Sequence, residues 1–422
     1  MRRESKRIEF KRELTDSFLK TVSAYANEGG GAVLFGVDDD GVVVGLENPR
    51  GVALRIENKI NSTLDPIPSF SLTINADSTI ELRVEEGDYK PYLYRGKAYR
   101  RADSSTVEVS RLELGRLVLE GTHQSFEELP ASTQELTFRV LEGELNRVLS
   151  IKALSMDVLK TLALHVEPRG FNKAAELLAD DNKFRGIDAA RFGADINEIR
   201  ERQDFSGSSV LSQFYEVVTM FNRWYRYERI DGIQRVTVYS VPEDAFREAV
   251  ANALVHRTWD VAAPVRVSMH QDRIEVTSPG GLPPGITSDE YASGRFSLLR
   301  NPILAGVFFR LRYIEKFGTG ITRIRHAYQN AAVQPRFIAE AASITVVLPT
   351  LVEKSELTES EQEIIQFLSD GQERSRAEIQ DHIGSSRNTT IRLLNQLVES
   401  GMIIKTGAAR RTSYRSNSTV GS

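Results

Sequence analysis

The stretch ESKRIEFK, residues 4–11, sets Glu4, Glu9 and Lys11 around the apolar Ile8 and Phe10. On a strand, residues two apart project from one face, so Glu9 and Lys11 point together. Asp38 ends the next apolar run, AVLFGV (32–37), at the turn DDDG. If the two runs pair, Glu4, Glu9 and Asp38 converge at one sheet edge with Lys11 beside them. Clustered carboxylates repel unless a cation joins them. Oxygen ligands at that density suit Mg²⁺ or Mn²⁺. Such an ion activates water and stabilises a phosphoryl transition state, and a lysine neutralises a phosphate oxygen. The plainer alternative is a solvated strand face.

A second constellation lies in FREAVANALVHRTWD (246–260). Glu248, Asn252 and His256 share one helix face, opposite Phe246, Val250 and Leu254. An ordinary amphipathic helix has the same pattern. Two glycine clusters follow. SPGGLP (278–283) comes after a strand, and FGTGI (317–321) comes before a helix whose N-terminal amides could hold phosphate oxygens. Neither cluster is a Walker A loop or a dinucleotide-binding fingerprint.

The third constellation is C-terminal. Arg387, Asn388, Thr389, Thr390 and Arg392 open a helix with a buried stripe of Ile391, Leu394, Leu397 and Val398, and Gly401 is placed to cap it. IIKTGAARRTSYR (403–415) reads as a two-stranded wing carrying Lys405, Arg410, Arg411 and Arg415. Residues at the start of such a helix reach base edges or phosphates, and wing cations clamp the backbone. A domain of this pattern also serves in dimerisation or protein contacts.

The elements that must position these groups are mixed. The chain has 422 residues, 41% hydrophobic and 27% charged, enough for several domains with their own cores. It has no cysteine, which excludes disulfides and thiolate metal sites and suits a reducing cytoplasm. The six histidines do not fall into metal-ligand spacings. The N-terminus has no apolar core of a signal peptide, and no run is long enough to span a membrane. Net charge is −4, but both ends are basic. Residues 1–13 hold six cations against three carboxylates, and residues 384–422 hold six against one.

Periodicity predicts a strand at 7–11, a helix near 15–27 stopped by EGGG, a strand at 32–37 and a returning strand at VVVGL (42–46). Further strands are expected at 69–74, 80–86 and 97–101. A helical stretch is expected over about 135–228. A helix near 243–256 then precedes strands at 265–269 and 273–278, helices at 298–311 and 320–331, and a closing strand at 343–349. LVEKSELTESE (351–361) is a polar linker before a small domain.

ESKRIEFK with AYANEGGGAVLFGVDDDGVVVGL and RGKAYRRADSSTVEVS (95–110) resembles the Schlafen-type AlbA-like domain, over about residues 1–120. The resemblance implies nucleic-acid binding and, in some members, metal-dependent RNA cleavage. Glu4 and Glu9 would be the first two carboxylates and Asp38 the third, with Asp39 or Asp40 able to replace it. REAVANALVHR, SPGGLP, RNP and EKFGTGI together resemble a Bergerat-type ATPase, in the RecG-C-terminal-like branch found behind Schlafen-type domains. That resemblance implies Asn252 on Mg²⁺ and Glu248 orienting or activating water. It places Gly280 and Gly281 at the base pocket, and Gly318, Thr319 and Gly320 at the phosphates. The Asp that reads the adenine amine stands here as Ser278. The C-terminal pattern resembles a winged helix-turn-helix.

The expected fold is α/β multidomain. It comprises an α+β Schlafen-type domain (1–122), a helical connecting region (135–230), a Bergerat-like α/β sandwich (231–350) and a winged helix (356–416). The expected function is a nucleotide-responsive, DNA-binding transcriptional regulator, cytoplasmic and homo-oligomeric, with DNA or RNA and ATP as partners. The alternative is a metal-dependent endoribonuclease gated by nucleotide, in antiphage defence.

Overall fold

The structure is a computed structural model. It describes residues 3–283, 286–294, 299–314, 319–351, 357–369, 371–399, 402–407 and 412–416. Contacts divide the chain into two compact units, Met1–Phe126 and Glu127–Ser422. The whole is a mixed α/β, multidomain protein.

In the first unit, four strands form one sheet in the order Ile8–Lys11, Gly31–Phe35, Ile80–Val84, Phe70–Ile74. The first pair is parallel, because the helix Phe18–Asn27 carries the chain back across the sheet between them. The returning turn needs glycine. Gly29 and Gly30 have φ of 71° and 65°, and a Cβ on Gly31 would lie 2.5 Å from the Tyr25 ring. Register sets Glu9 against Val33 and Lys11 against Phe35. Those two charged residues therefore share the face that packs on Phe18, Val22 and Tyr25. Ile8 and Phe10 take the other face, with Leu34 and Val37.

VVVGL does not return as a strand. Only Val37 and Val43 bridge, and Val42, Val43 and Val44 are exposed. Positive φ at Gly36 and Gly45 turns the segment out, and Leu46 N then bonds Ser78 O at 3.0 Å. A helix Pro49–Thr63 follows, with Asn48 capping Gly51 N and Val52, Ile56 and Ile60 buried.

The second unit is built on a six-stranded sheet. Its order is Ile199–Asp204, Ile187–Phe192, Val265–Met269, Arg273–Pro279, Ser343–Pro349, Arg336–Ala339. Two of these strands come from the stretch expected to be helical over 135–228. Ile199–Asp204, of sequence IRERQD, is an exposed edge strand with no apolar alternation, so its pairing could not be read from periodicity. The helices in that stretch are Arg139–Leu149, Met156–Thr161, Lys173–Leu178 and Val210–Tyr225. The helix Glu243–Val255 lies against the sheet and meets Val210–Tyr225 through Phe246 and Phe221, whose rings stack 4.2 Å apart.

The helix Pro302–Arg310 is capped from a distance. Asn301, at its N-cap position, spends its amide on Val255 O and Arg257 O. The fully buried Glu127 takes over and accepts from Ile303 N and, at 2.8 Å, from Leu304 N.

At the C-terminal end the order is helix Glu359–Phe367, strand Arg374–Ser375, helices Arg376–His382 and Arg387–Glu399, strands Ile403–Thr406 and Ser413–Ser416. The three strands form one sheet. Ile364, Leu368, Ile379, Leu394, Leu397 and Tyr414 make its core. Ile391 and Val398 are half-buried, and Gly401 lies outside the described residues.

Burial pushes the Glu127 carboxyl up to about 7, against the pull of its two backbone donors. A carboxyl raised in the folded state binds its proton more tightly there. Its contribution is present below about pH 4.5 and is lost as pH rises to about 7. Between those limits wild type should lose on the order of 3 kcal/mol that Glu127→Gln does not lose. Urea unfolding of both proteins at several pH values checks this.

Candidate nucleotide and nucleic-acid sites

The first constellation is assembled as a buried ion cluster. Glu9 is only 8% exposed. Lys11 Nζ reaches its Oε1 at 2.5 Å, and Arg101 reaches its Oε2 at 2.6 Å. Arg101, 2% exposed, also donates to Thr106 Oγ1 at 2.8 Å and Ser5 O at 3.2 Å and lies over the Tyr25 ring. The Tyr25 hydroxyl is buried and has no hydrogen-bond partner among the described residues. Burial drives its ionisation far above the ordinary value; Arg101 opposes this, and Glu9 and Glu4 add to it.

Glu4 accepts from Phe10 N at 2.9 Å. Asp38 spends Oδ1 on Asp40 N at 3.1 Å and Val42 N at 2.8 Å, fixing its turn. The three carboxylates expected to share a metal are thus engaged separately. Among the described residues no group of three or more acidic or histidine side chains is placed to hold a metal ion. Asp39 and Asp40 are exposed.

Arg101 enters the cluster through the fold. Its sequence signal is an arginine at an inward position of an alternating strand, two after the buried Tyr99. Asn27, in the AYAN segment, is also structural. Its amide accepts from Tyr92 N at 2.8 Å and donates to Tyr92 O at 3.0 Å.

The middle constellation converges on one small pocket of about 110 Å³. Ala249, Ala253, Val276, Ile321, Ile344 and Val346 make its apolar wall, while Asn252, His256, Ser278, Tyr291 and Arg300 bring polar groups to it. Asn252 Nδ2 donates to Glu248 Oε1 at 3.1 Å, and Arg323 stands 3.5 Å from Glu248 Oε2. Gly320 begins the helix Gly320–Ala327 against this pair. A Cβ there would fall 2.5 Å from Asn252 Nδ2 and 2.7 Å from Glu248 Oε1. A side chain at 320 would have to displace both side-chain ends from their present contact.

Ser278 is buried and donates its hydroxyl proton to Ala253 O at 2.8 Å. Only its lone pairs remain for the pocket. Burial pushes the Tyr291 phenol up to about 12, so it stays neutral.

Gly280 and Gly281, expected at the base pocket, do not line it. Gly280 has φ of 105° and donates to Ala342 O at 2.8 Å. Gly281 O accepts from Arg300 at 2.8 Å. They turn the chain after the strand Arg273–Pro279, and Leu282 and Pro283 reach the pocket instead. Thr319 is the N-cap of the following helix but makes no side-chain cap bond. Gly318 lies outside the described residues.

On the C-terminal helix, Arg387, Asn388 and Arg392 are exposed. Thr389 is half-buried and its N and Oγ1 bond Ser386 Oγ. Thr390 cannot reach a base, because it is fully buried and bonds Ser385 and Ser386. Lys405 is exposed and Arg415 half-exposed. Arg410 and Arg411 lie outside the described residues.

The ion cluster and the helix start can each be probed by substitution. Arg101→Met leaves Glu9 buried beside Lys11 alone and should cost about 3–5 kcal/mol. Adding Glu9→Gln should recover part of that loss in urea unfolding, as a double-mutant cycle reads it. A metal-ligand role for Glu9 would instead make added Mn²⁺ stabilise wild type and not Glu9→Gln. Gly320→Ala should keep the fold but separate Asn252 from Glu248. Its far-UV circular dichroism should match wild type while any nucleotide affinity falls at least tenfold by calorimetry.

Residues 4–110 match the family model described as Schlafen, AlbA_2. Residues 262–348 match the model described as putative ATP-dependent DNA helicase recG C-terminal. No curated protein matches the chain. Among solved structures, the chain is similar to the DIP2311 protein from Corynebacterium diphtheriae. The identity is 18% over 97% of this chain and 92% of that one, with a TM-score of 0.49. Residues 4–110 are thus a Schlafen AlbA_2-type domain, and residues 262–348 of the same chain are a RecG C-terminal-type, ATPase-like domain.

Proposed function

We propose that this protein is a nucleotide-responsive, DNA-binding transcriptional regulator of the cytoplasm. The observation that carries the reading is the convergence of Glu248, Asn252, Ser278 and Gly320 on one pocket and its rim. The pocket is too small for a whole nucleotide and suits a planar base. Its apolar walls would take the ring faces. The Ser278 lone pairs would accept from an exocyclic amine, as adenine offers and guanine, with a carbonyl at that place, does not. The start of the helix Gly320–Ala327 would face the phosphates with free amides.

Asn252 Oδ1, left open by the bond from Nδ2 to Glu248, fits one ligand position of a Mg²⁺ that arrives with its phosphates and waters. Bound there, the ion would neutralise phosphate charge. Glu248 would hold a water by hydrogen bond on the same side.

The C-terminal α-β-α-α-β-β order supports a winged helix. The helix Arg387–Glu399 buries Leu394 and Leu397 and leaves Arg387, Asn388 and Arg392 to solvent at its start. That is where a recognition helix meets the major groove. The Schlafen AlbA_2-type domain would add a second nucleic-acid contact. The endoribonuclease alternative is the weaker reading, because Glu9 is already neutralised by Lys11 and Arg101 and Asp38 is spent on its turn.

Calorimetry and duplex-binding titrations test the proposal. ATP should bind wild type, and Ser278→Ala should weaken ATP about 5–10-fold while leaving GTP unchanged, the value of one hydrogen bond. Arg387→Ala and Arg392→Ala should lower duplex affinity, and the salt slope should fall by about 0.9 for each phosphate no longer neutralised. Equal ATP and GTP affinity, or duplex binding indifferent to both arginines, would sink it.

A further inference from the structure

Residues 226–239 take no part in the sites above. The strands Arg226–Asp231 and Gln234–Tyr239 form an antiparallel ribbon closed by Gly232 and Ile233. Every residue of the first strand is exposed. Ile230 is 75% exposed, and Ile233 at the tip is 101% exposed. Among the described residues no strand pairs with either outer edge. A lone ribbon without a buried face is marginal in water, and its edges are templates for another strand.

The register decides which backbone groups face out. Ser240 N donates to Tyr225 O at 2.9 Å, which extends the ribbon's pairing by one step. In an antiparallel ladder inward-bonding residues alternate with outward-facing ones. Ser240, Val238 and Val236 therefore bond inward. Arg235, Thr237 and Tyr239 turn their N–H and C=O groups out.

We propose that this outer edge pairs with the same edge of a second copy of the chain. The two-fold axis would pass beside Thr237, giving a four-stranded antiparallel sheet across the dimer. Symmetry limits the choices. A two-fold axis perpendicular to a sheet sets one residue opposite its own equivalent. On the other edge, full overlap centres on Glu228 or Arg229, and like charges meet. The edge Gln234–Tyr239 carries a single charge, Arg235. With Thr237 at the axis, threonine meets threonine, Val236 meets Val238, and Arg235 meets the Tyr239 ring of the second copy. Centring on Val236 would instead set Gln234 against Val238. The two-fold axis matches the inverted half-sites that a dimeric DNA-binding protein reads, but the surface stands on its own geometry.

The chain has no cysteine, so one introduced thiol reports the register directly. Residues opposite each other across an antiparallel pair have Cα atoms about 5.5 Å apart, within disulfide reach. The full chain should sediment as a dimer at micromolar concentration. Thr237→Cys should form a covalent dimer under mild oxidation, and Arg229→Cys on the far edge should not. Thr237→Pro removes an outward N–H without breaking a bond of the ribbon. It should shift the protein toward monomer with unchanged far-UV circular dichroism. A wild-type monomer at that concentration overturns the proposal. So does a dimer that links through residue 229 and not 237.

Discussion

A carboxylate removed from water must find a cation or several donors, or its burial costs several kcal/mol. Among the described residues this chain meets that constraint at several places, and three of them bear on its sites and architecture. Glu9 lies inside the first sheet and is held by Lys11 and Arg101. Glu127 is fully buried and answers the two free amides of a distant helix. Glu248 is buried on the helix Glu243–Val255 and is met by Asn252 and Arg323. In each case at least one partner comes from a segment distant in sequence.

The three carboxylates nevertheless suit different tasks. Glu9 and Glu127 have their oxygens committed to protein groups, and they hold elements together. Glu248 stands beside the pocket that Asn252 and Ser278 line. What separates that place from a packed core is Gly320. Without a Cβ it admits the start of a helix within contact of Asn252 and Glu248. A Cβ there would push both side-chain ends out of their present positions. Ser278 has its proton committed to Ala253 O, so it offers the pocket acceptor character without a carboxylate's charge.

The surfaces follow a complementary logic. The helix Arg387–Glu399 turns its leucines into a small core, and the cations at its start are left to water. The ribbon 226–239 buries almost nothing of its own, and the pattern of its outward backbone groups makes it an edge to be completed. One surface presents cations to water and the other an unpaired backbone edge.

Periodicity and turn chemistry by themselves determined most of the local structure. The strand Ile8–Lys11, the helix over 18–27, the strands at 265–269 and 273–279 and the C-terminal helices all lie where the sequence places them, because apolar spacing and glycine act within a few residues. The Schlafen-type and RecG-C-terminal-like character was also legible from short motifs. Tertiary structure decided what those motifs hold. Sequence sets Lys11 beside Glu9, and the fold adds Arg101 from a strand about ninety residues on. VVVGL reads as a strand until two positive-φ glycines turn it out, and IRERQD becomes a strand only because a neighbour offers it an edge. Gly280 and Gly281 read as pocket lining, yet they shape a turn. Spacing along a chain states which side chains share a face; which charge is neutralised, and by what, depends on residues that the fold brings together from far apart.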